Sequence, residues 1–179
     1  MLQRTKITDP GHPLFAQCWQ LYTDAFPQEE RRELDYHIET MRAQAFSFEG
    51  IEENGEFVGI IGWWQFDNLR FIEHLATSPA VRNKGYGKVI LTEFIGEGSD
   101  PIILEVEHPE CEMSIRRIEF YRRIGFHLNQ YSYSHPPYDT TQSDFVSLML
   151  MSYPAEISSS EADKFKAECY AKVHFRHNL

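Results

Sequence analysis

No run of this chain is apolar over the roughly 18 residues that a membrane span requires. Its first residues, Met1-Leu-Gln-Arg-Thr-Lys-Ile7, lack the hydrophobic region of a secretory leader. Cysteine is sparse. Cys18, Cys111 and Cys169 have no spacing used by zinc sites or disulfide frameworks, so no metal is expected and the thiols are expected to be reduced, in a cytoplasmic protein. Positive charge is in deficit, with 17 Lys and Arg against 27 Asp and Glu and a net charge of −10. A phosphate backbone needs a basic face, so nucleic acid is not an expected partner, and neither is a membrane. An acidic surface would attract a cationic one, although it also serves solubility. Internal repeats and low-complexity segments are absent.

A hydrophobic fraction of 42% and an aromatic fraction of 14% over 179 residues suit one domain, 1–179, with a packed core. Leu14, Cys18, Leu21, Tyr22 and Ala25 recur at helical spacing between Pro13 and Phe26. A second helix is expected from Gln28 to Ala45, burying Leu34, Ile38, Met41 and Ala45. Asn54-Gly55 is a hairpin signal between strands at 46–52 and 56–65. Further strands are expected at 5–8, 71–77, 101–107, 126–133 and 144–153, with helices at 87–95 and 114–124. Ser158 and Glu161 form a capping box for a final helix, about 158–175, beyond a core at about 5–153. This order implies an α+β fold.

The stretch from Leu75 to Leu91 carries the most chemistry. A strand ends at Thr77-Ser-Pro, a basic turn Arg82-Asn-Lys-Gly-Tyr-Gly-Lys88 follows, and an amphipathic helix opens. Glycines at such a junction let backbone N–H groups approach a ligand, and the helix end adds about half a positive charge. Together they make a phosphate-type anion site. The turn lacks the Gly-Lys-Ser/Thr of a P-loop, and Ile90 stands where a dinucleotide fingerprint needs its third glycine.

Arg82-x-x-Gly85-x-Gly87 after Leu-Ala-Thr-Ser-Pro instead resembles the acyl-CoA motif of the GNAT N-acetyltransferases. Ile118-Glu-Phe-Tyr121-Arg-Arg-Ile-Gly125-Phe126 resembles that family's second signature. The resemblance implies a mostly antiparallel mixed sheet flanked by helices, the acyl-CoA N-acyltransferase fold, here with an extra C-terminal helix. It implies acetyl-CoA as cosubstrate and a small-molecule or protein amine as acceptor, in a monomer or homodimer. By the same resemblance, backbone amides of Arg82, Asn83, Lys84, Gly85, Tyr86, Gly87 and Lys88 would hold the pyrophosphate, and Leu75, Ala76 and Thr77 the pantetheine arm. Ser114 stands where many members carry an asparagine that bonds the pantetheine region, and one or two of Arg116, Arg117, Arg122 and Arg123 would meet the 3′-phosphate.

Acetyl transfer needs a deprotonated amine, a proton for the departing thiolate and an oxyanion donor. Tyr121 matches the family's general acid. Glu73 is the first candidate base, on the same strand face as Leu75 and Thr77 by period two, with His74 facing away. Glu105 and Glu107 are the alternatives, and a backbone N–H near Leu75 is the oxyanion donor. Glu29, Glu30, Trp63, Trp64 and Tyr138 would suit a cationic acceptor. The competing readings are an acyl-CoA-binding regulatory module without catalysis and a protein that binds a different nucleotide.

Overall fold

The computed structural model describes residues 1–178, which form two compact units, one from Met1 to Asp100 and one from Pro101 onward. The first unit contains β1 (Gln3–Lys6), α1 (Phe15–Ala25), α2 (Leu34–Met41), β2 (Phe46–Glu53), β3 (Glu56–Phe66), β4 (Leu69–Thr77) and α3 (Tyr86–Gly96). Its strands run in the order β1-β2-β3-β4, each antiparallel to the next. The second contains β5 (Ile102–Val106), α4 (Glu112–Arg122), β6 (His127–His135), β7 (Val146–Tyr153) and α5 (Ser159–Glu168). Here β7 lies between β5 and β6 and is antiparallel to both. The fold is therefore α+β with mostly antiparallel strands, as the order of apolar patterns implied.

Local chemistry accounts for most boundaries. Asn54 and Gly55 turn from β2 into β3 with φ of 53° and 80°, the pair of positive values that a two-residue hairpin turn demands. Phe15, Cys18, Leu21 and Tyr22 form the buried stripe of α1. The hydroxyl of Ser158 accepts from the N–H of Glu161, while the Glu161 carboxylate accepts from the N–H of Ser158, closing the expected capping box of α5. The C-terminal carbonyls of α3 and the turn after it are met by Arg70. Its Nη1 donates to Phe94 O at 2.6 Å, and its Nη2 donates to Gly98 O and Asp100 O at 3.1 and 3.2 Å.

The expected long second helix does not form. Pro27 precedes a single 3₁₀ turn over Gln28–Glu30, the chain then runs extended, and α2 begins only at Leu34. Within this segment Arg32 is drawn wholly into the core, where it pairs with Glu73. The shift rotates the helix as well. Tyr36, His37, Thr40 and Met41 are buried, and Leu34 is exposed.

Strand β4 carries the second departure. Gly62 lies opposite His74 and Trp63 lies opposite Ile72, so Glu73 is an extra residue, a β-bulge. Period two fails there. Glu73 bonds Trp64 and Arg32, while the His74 ring packs on Tyr22 and Phe26 of the α1 segment, at centroid distances of 4.8 and 4.5 Å. Adjacent residues thus serve the same side of the sheet. The expectation that Glu73 shares a face with Leu75 and that His74 faces away is corrected by this bulge.

Candidate active site

In the first unit, β4 ends at Thr77 and a 3₁₀ turn over Pro79–Val81 leads into the basic segment. Arg82, Asn83, Lys84 and Gly85 are exposed, and α3 starts at Tyr86. Asn83 and Gly85 both have left-handed backbone, with φ of 64° and 86°. Left-handed residues at a helix start are a feature of anion-binding nests, and here the N–H groups of Arg82, Lys84 and Lys88 donate within the turn, to Pro79 O, Val81 O and Gly85 O. No atom lies within 4 Å of where a Gly85 Cβ would stand, so the space above the turn is open. The first turn of α3 contains no acidic residue to compensate its dipole. Tyr86 pins the turn to the hairpin: its hydroxyl donates to Glu53 Oε2 at 2.6 Å, a bond that raises the phenol pKa above its usual value. Leu75, Ala76 and Thr77 are half-buried and pair with Ile61, Ile60 and Gly59 of β3.

The side chain of Glu73 is fully buried and engaged on both oxygens. Arg32 Nη2 donates to Oε1 at 2.7 Å, and Arg32 Nη1 and Trp64 Nε1 donate to Oε2 at 3.1 and 2.8 Å. The Arg32 guanidinium sits over the rings of Tyr36, Phe46 and Trp64, at 5.3 to 5.8 Å. An incoming ammonium would have to displace this guanidinium to reach the carboxylate. Through these bonds the carboxylate ties the turn at Arg32 to β4. Beside it, His74 Nε2 lies 2.8 Å from Glu30 O and fastens the same turn. Both Trp63 and Trp64 use their indole N–H groups internally: Trp63 donates to Glu49 Oε1 at 2.7 Å, and Trp64 to Glu73.

In the second unit, Tyr121 is half-buried near the end of α4, its ring 5.2 and 5.7 Å from those of Phe120 and Phe126. Burial raises its phenol pKa, so it keeps its proton at neutral pH. Ser114 is buried and occupied. Its hydroxyl donates to Cys111 O at 2.9 Å and accepts from Cys111 N–H at 3.2 Å, closing the N-terminal cap of α4. The hydroxyl of Ser114, the expected cofactor contact, is thus engaged in helix capping. Three of the four arginines form surface pairs, Arg116 with Glu112, Arg117 with Glu107 and Arg122 with Glu119. Glu105 accepts a short hydrogen bond from the Tyr133 hydroxyl, and its Oε2 lies 3.9 Å from His135 Nε2. Tyr138 is buried against His135 and His174. Among the described residues, no group of three or more His, Cys, Asp or Glu side chains could hold a metal.

Sequence reasoning missed Arg32 and His174. Arg31-Arg32 is one of several basic pairs, and nothing local shows which member is buried. His174 lies beyond both motifs, and only the docking of α5 brings it to His135.

An anion nest opening a helix in an antiparallel α+β framework, with a protonated tyrosine on a second helix, belongs to the acyl-transfer folds. The chain is a member of the acetyltransferase (GNAT) family, whose sequence profile matches residues 15–126. It is similar to a protein from Bacteroides thetaiotaomicron described as a GNAT-family acetyltransferase, with 34% identity, coverage of 96% of this chain and 98% of that one, and a TM-score of 0.90. Two more distant structures share the fold. An aminoglycoside 6′-N-acetyltransferase complexed with coenzyme A has 16% identity, a TM-score of 0.59 and coverage of 88% and 99%. A GNAT acetyltransferase from Elizabethkingia anophelis with acetyl-CoA bound has 12% identity, a TM-score of 0.56 and coverage of 84% and 96%. No curated protein matches the chain.

Proposed function

We propose that the whole chain is one acetyltransferase domain that moves an acetyl group from acetyl-CoA to a primary amine, in a small molecule or a protein, by direct attack within a ternary complex. The observation that carries this reading is the open, left-handed turn at Asn83 and Gly85, at a helix N-terminus free of acidic residues. Backbone amides of the turn, at Asn83, Gly85, Tyr86 and Gly87, hold the pyrophosphate, with the side chains of Arg82, Lys84 and Lys88 raising the local potential. Leu75, Ala76 and Thr77 offer strand backbone to the pantetheine arm. The cosubstrate supplies an activated thioester. Tyr121 supplies the proton for the departing sulfur, and burial keeps that proton on the phenol. Glu73 and Arg32 act together as a positioning pair that fixes the 26–32 turn. The distant CoA-bound and acetyl-CoA-bound structures support the choice of cosubstrate.

Calorimetric titration with acetyl-CoA, with ATP and NAD as controls, tests the site. Selective micromolar binding is expected, followed by release of free thiol with an amine panel. Equal binding of ATP, or no binding of acetyl-CoA, would overturn the reading. One observation favours an acyl-CoA-binding module without catalysis, namely that the Glu73 carboxylate is locked by Arg32. Selective binding with no thiol release from any amine would establish that alternative.

A further inference from the structure

A cleft of about 150 Å³ lies in the unit that begins at Pro101, between β6 and α5. Irregular strand pairing opens it. Asn129 lies opposite Leu150 and Tyr133 lies opposite Leu148, so three residues of β6, Gln130 to Ser132, face only Met149. Extra residues of this kind bend a strand and are frequent next to active sites. Hydrogen bonds fix the two walls. Asn129 Oδ1 accepts from the N–H of Ile157 at 2.9 Å, and the Tyr131 hydroxyl donates to Ile157 O at 3.0 Å. Both backbone groups of Ile157, the residue before the α5 cap at Ser158, are thereby tied to the irregular stretch of β6.

The floor of the cleft is apolar, lined by Tyr133, Leu150 and Ala162, all buried. Its rim is polar. Ser132 comes from β6, and Ser159, Asp163 and Lys166 come from α5. Positions 159, 162, 163 and 166 recur at i, i+3, i+4 and i+7, so they share one helix face. Asp163 and Lys166 are neighbours of opposite charge on that face, yet they do not pair with each other. An ion pair further along the segment joins Lys172 to Glu168, and among the described residues neither Asp163 nor Lys166 has an ion-pair partner. Lys166 is half-buried, its Nζ 5.7 Å from the centroid of the Tyr170 ring. A space of this size admits one small organic molecule in place of several waters. Two unpaired opposite charges above an apolar floor are the complement of a small zwitterion with an apolar side chain.

We propose that this cleft binds a free α-amino acid with an apolar side chain. The ammonium of the ligand donates to the Asp163 carboxylate, and its carboxylate accepts from Lys166 Nζ, both charge-assisted hydrogen bonds. The Ser132 and Ser159 hydroxyls, which donate and accept, serve the remaining polar atoms. The ligand side chain lies on Leu150, Ala162 and the Tyr133 ring. Every residue of the cleft lies beyond residue 126, where the match to the family profile ends. The inference goes beyond the acetyltransferase reading and stands without it.

Calorimetric titration of the full chain, without acetyl-CoA, tests the proposal. The probes are L-leucine, L-methionine and L-phenylalanine, each beside its amide, which lacks the carboxylate, and the corresponding acid without its amine. Binding of at least one amino acid with a Kd below about 1 mM is expected, with both of its analogues weaker by about tenfold or more. Lys166→Met should lower the affinity for the amino acid to that of its amide, and Asp163→Asn to that of the acid without its amine. Lys164→Met, at an exposed neighbour outside the cleft, should leave binding unchanged. Circular dichroism checks that each variant is folded, and the selectivity of the wild type needs no variant at all. No binding of any of the three amino acids, or equal binding of the amides, would overturn the proposal. Binding that survives both Lys166→Met and Asp163→Asn would also overturn it, because the amino acid would then sit elsewhere on the chain. Failure to bind acetyl-CoA would remove the acetyltransferase reading and leave this test intact.

Discussion

Replacing Glu73 by Gln separates a base from an anchor. The amide keeps the shape of the carboxylate but removes its charge and turns an N–H donor toward the Arg32 guanidinium. Both side chains are fully buried, and the guanidinium is enclosed by Tyr36, Phe46 and Trp64, so water cannot readily replace the lost partner. Breaking a buried pair from one side costs about 3–5 kcal/mol. In a chain of this length each kcal/mol moves Tm by about 2–4 °C, so a fall of about 6–20 °C is expected. Urea unfolding at neutral pH gives the same quantity independently, with an unchanged m value. Converting both partners, as Arg32→Met with Glu73→Leu, should recover most of the loss, because the pair also carries its own desolvation penalty. A loss below about 1 kcal/mol in Glu73→Gln, well under the one-sided cost of a buried pair, would refute the anchor argument. A mutant of wild-type stability with kcat reduced a hundredfold would return the base to Glu73.

Tyr121→Phe should keep acetyl-CoA affinity and lower kcat about 10²-fold or more. Because burial raises the phenol, the wild-type pH–rate profile should show no loss from Tyr121 ionisation below about pH 10, its ordinary value. Gly85→Val places a branched residue at φ of 86°, a conformation that L residues avoid, and fills the open space above the turn. Calorimetry should show acetyl-CoA binding abolished, while circular dichroism reports a folded chain. His37 is buried among Trp19, Tyr22 and Phe48, and burial pushes its pKa down to about 3. Its contribution to stability is therefore complete above about pH 6.5, the unfolded value, and is lost as pH falls toward 3. His37→Phe should flatten that part of an acid-unfolding series followed by tryptophan fluorescence.

The parts of the fold legible in the sequence were those set by local chemistry. Asn54-Gly55 marked its hairpin because two positive φ values select those residues, and Ser158 with Glu161 marked the start of α5. The turn at 82–88 was legible because an anion nest at a helix end needs glycine at a particular place. The 28–33 segment was not legible: its helical periodicity is overridden by burial of one guanidinium, and the carboxylate that draws it in lies 41 residues away. The capping role of Ser114 was not legible for a related reason. Its place in the motif was correct, but the partner of its hydroxyl is the backbone three residues earlier.

The bulge at Glu73 shows why the surroundings of this carboxylate needed coordinates. Alternation along β4 places Glu73 with Leu75 and Thr77 only if every residue has a partner across the ladder. One unpaired residue reverses that assignment for everything before it, and no residue type in Phe71-Ile-Glu-His-Leu75 announces the slip. Once Glu73 is turned toward Arg32, its charge is committed to holding the chain. The C-terminal segment, which the family motifs do not require, is held by its own aromatic contacts: Phe165 packs on Tyr133 and His174 stacks on His135.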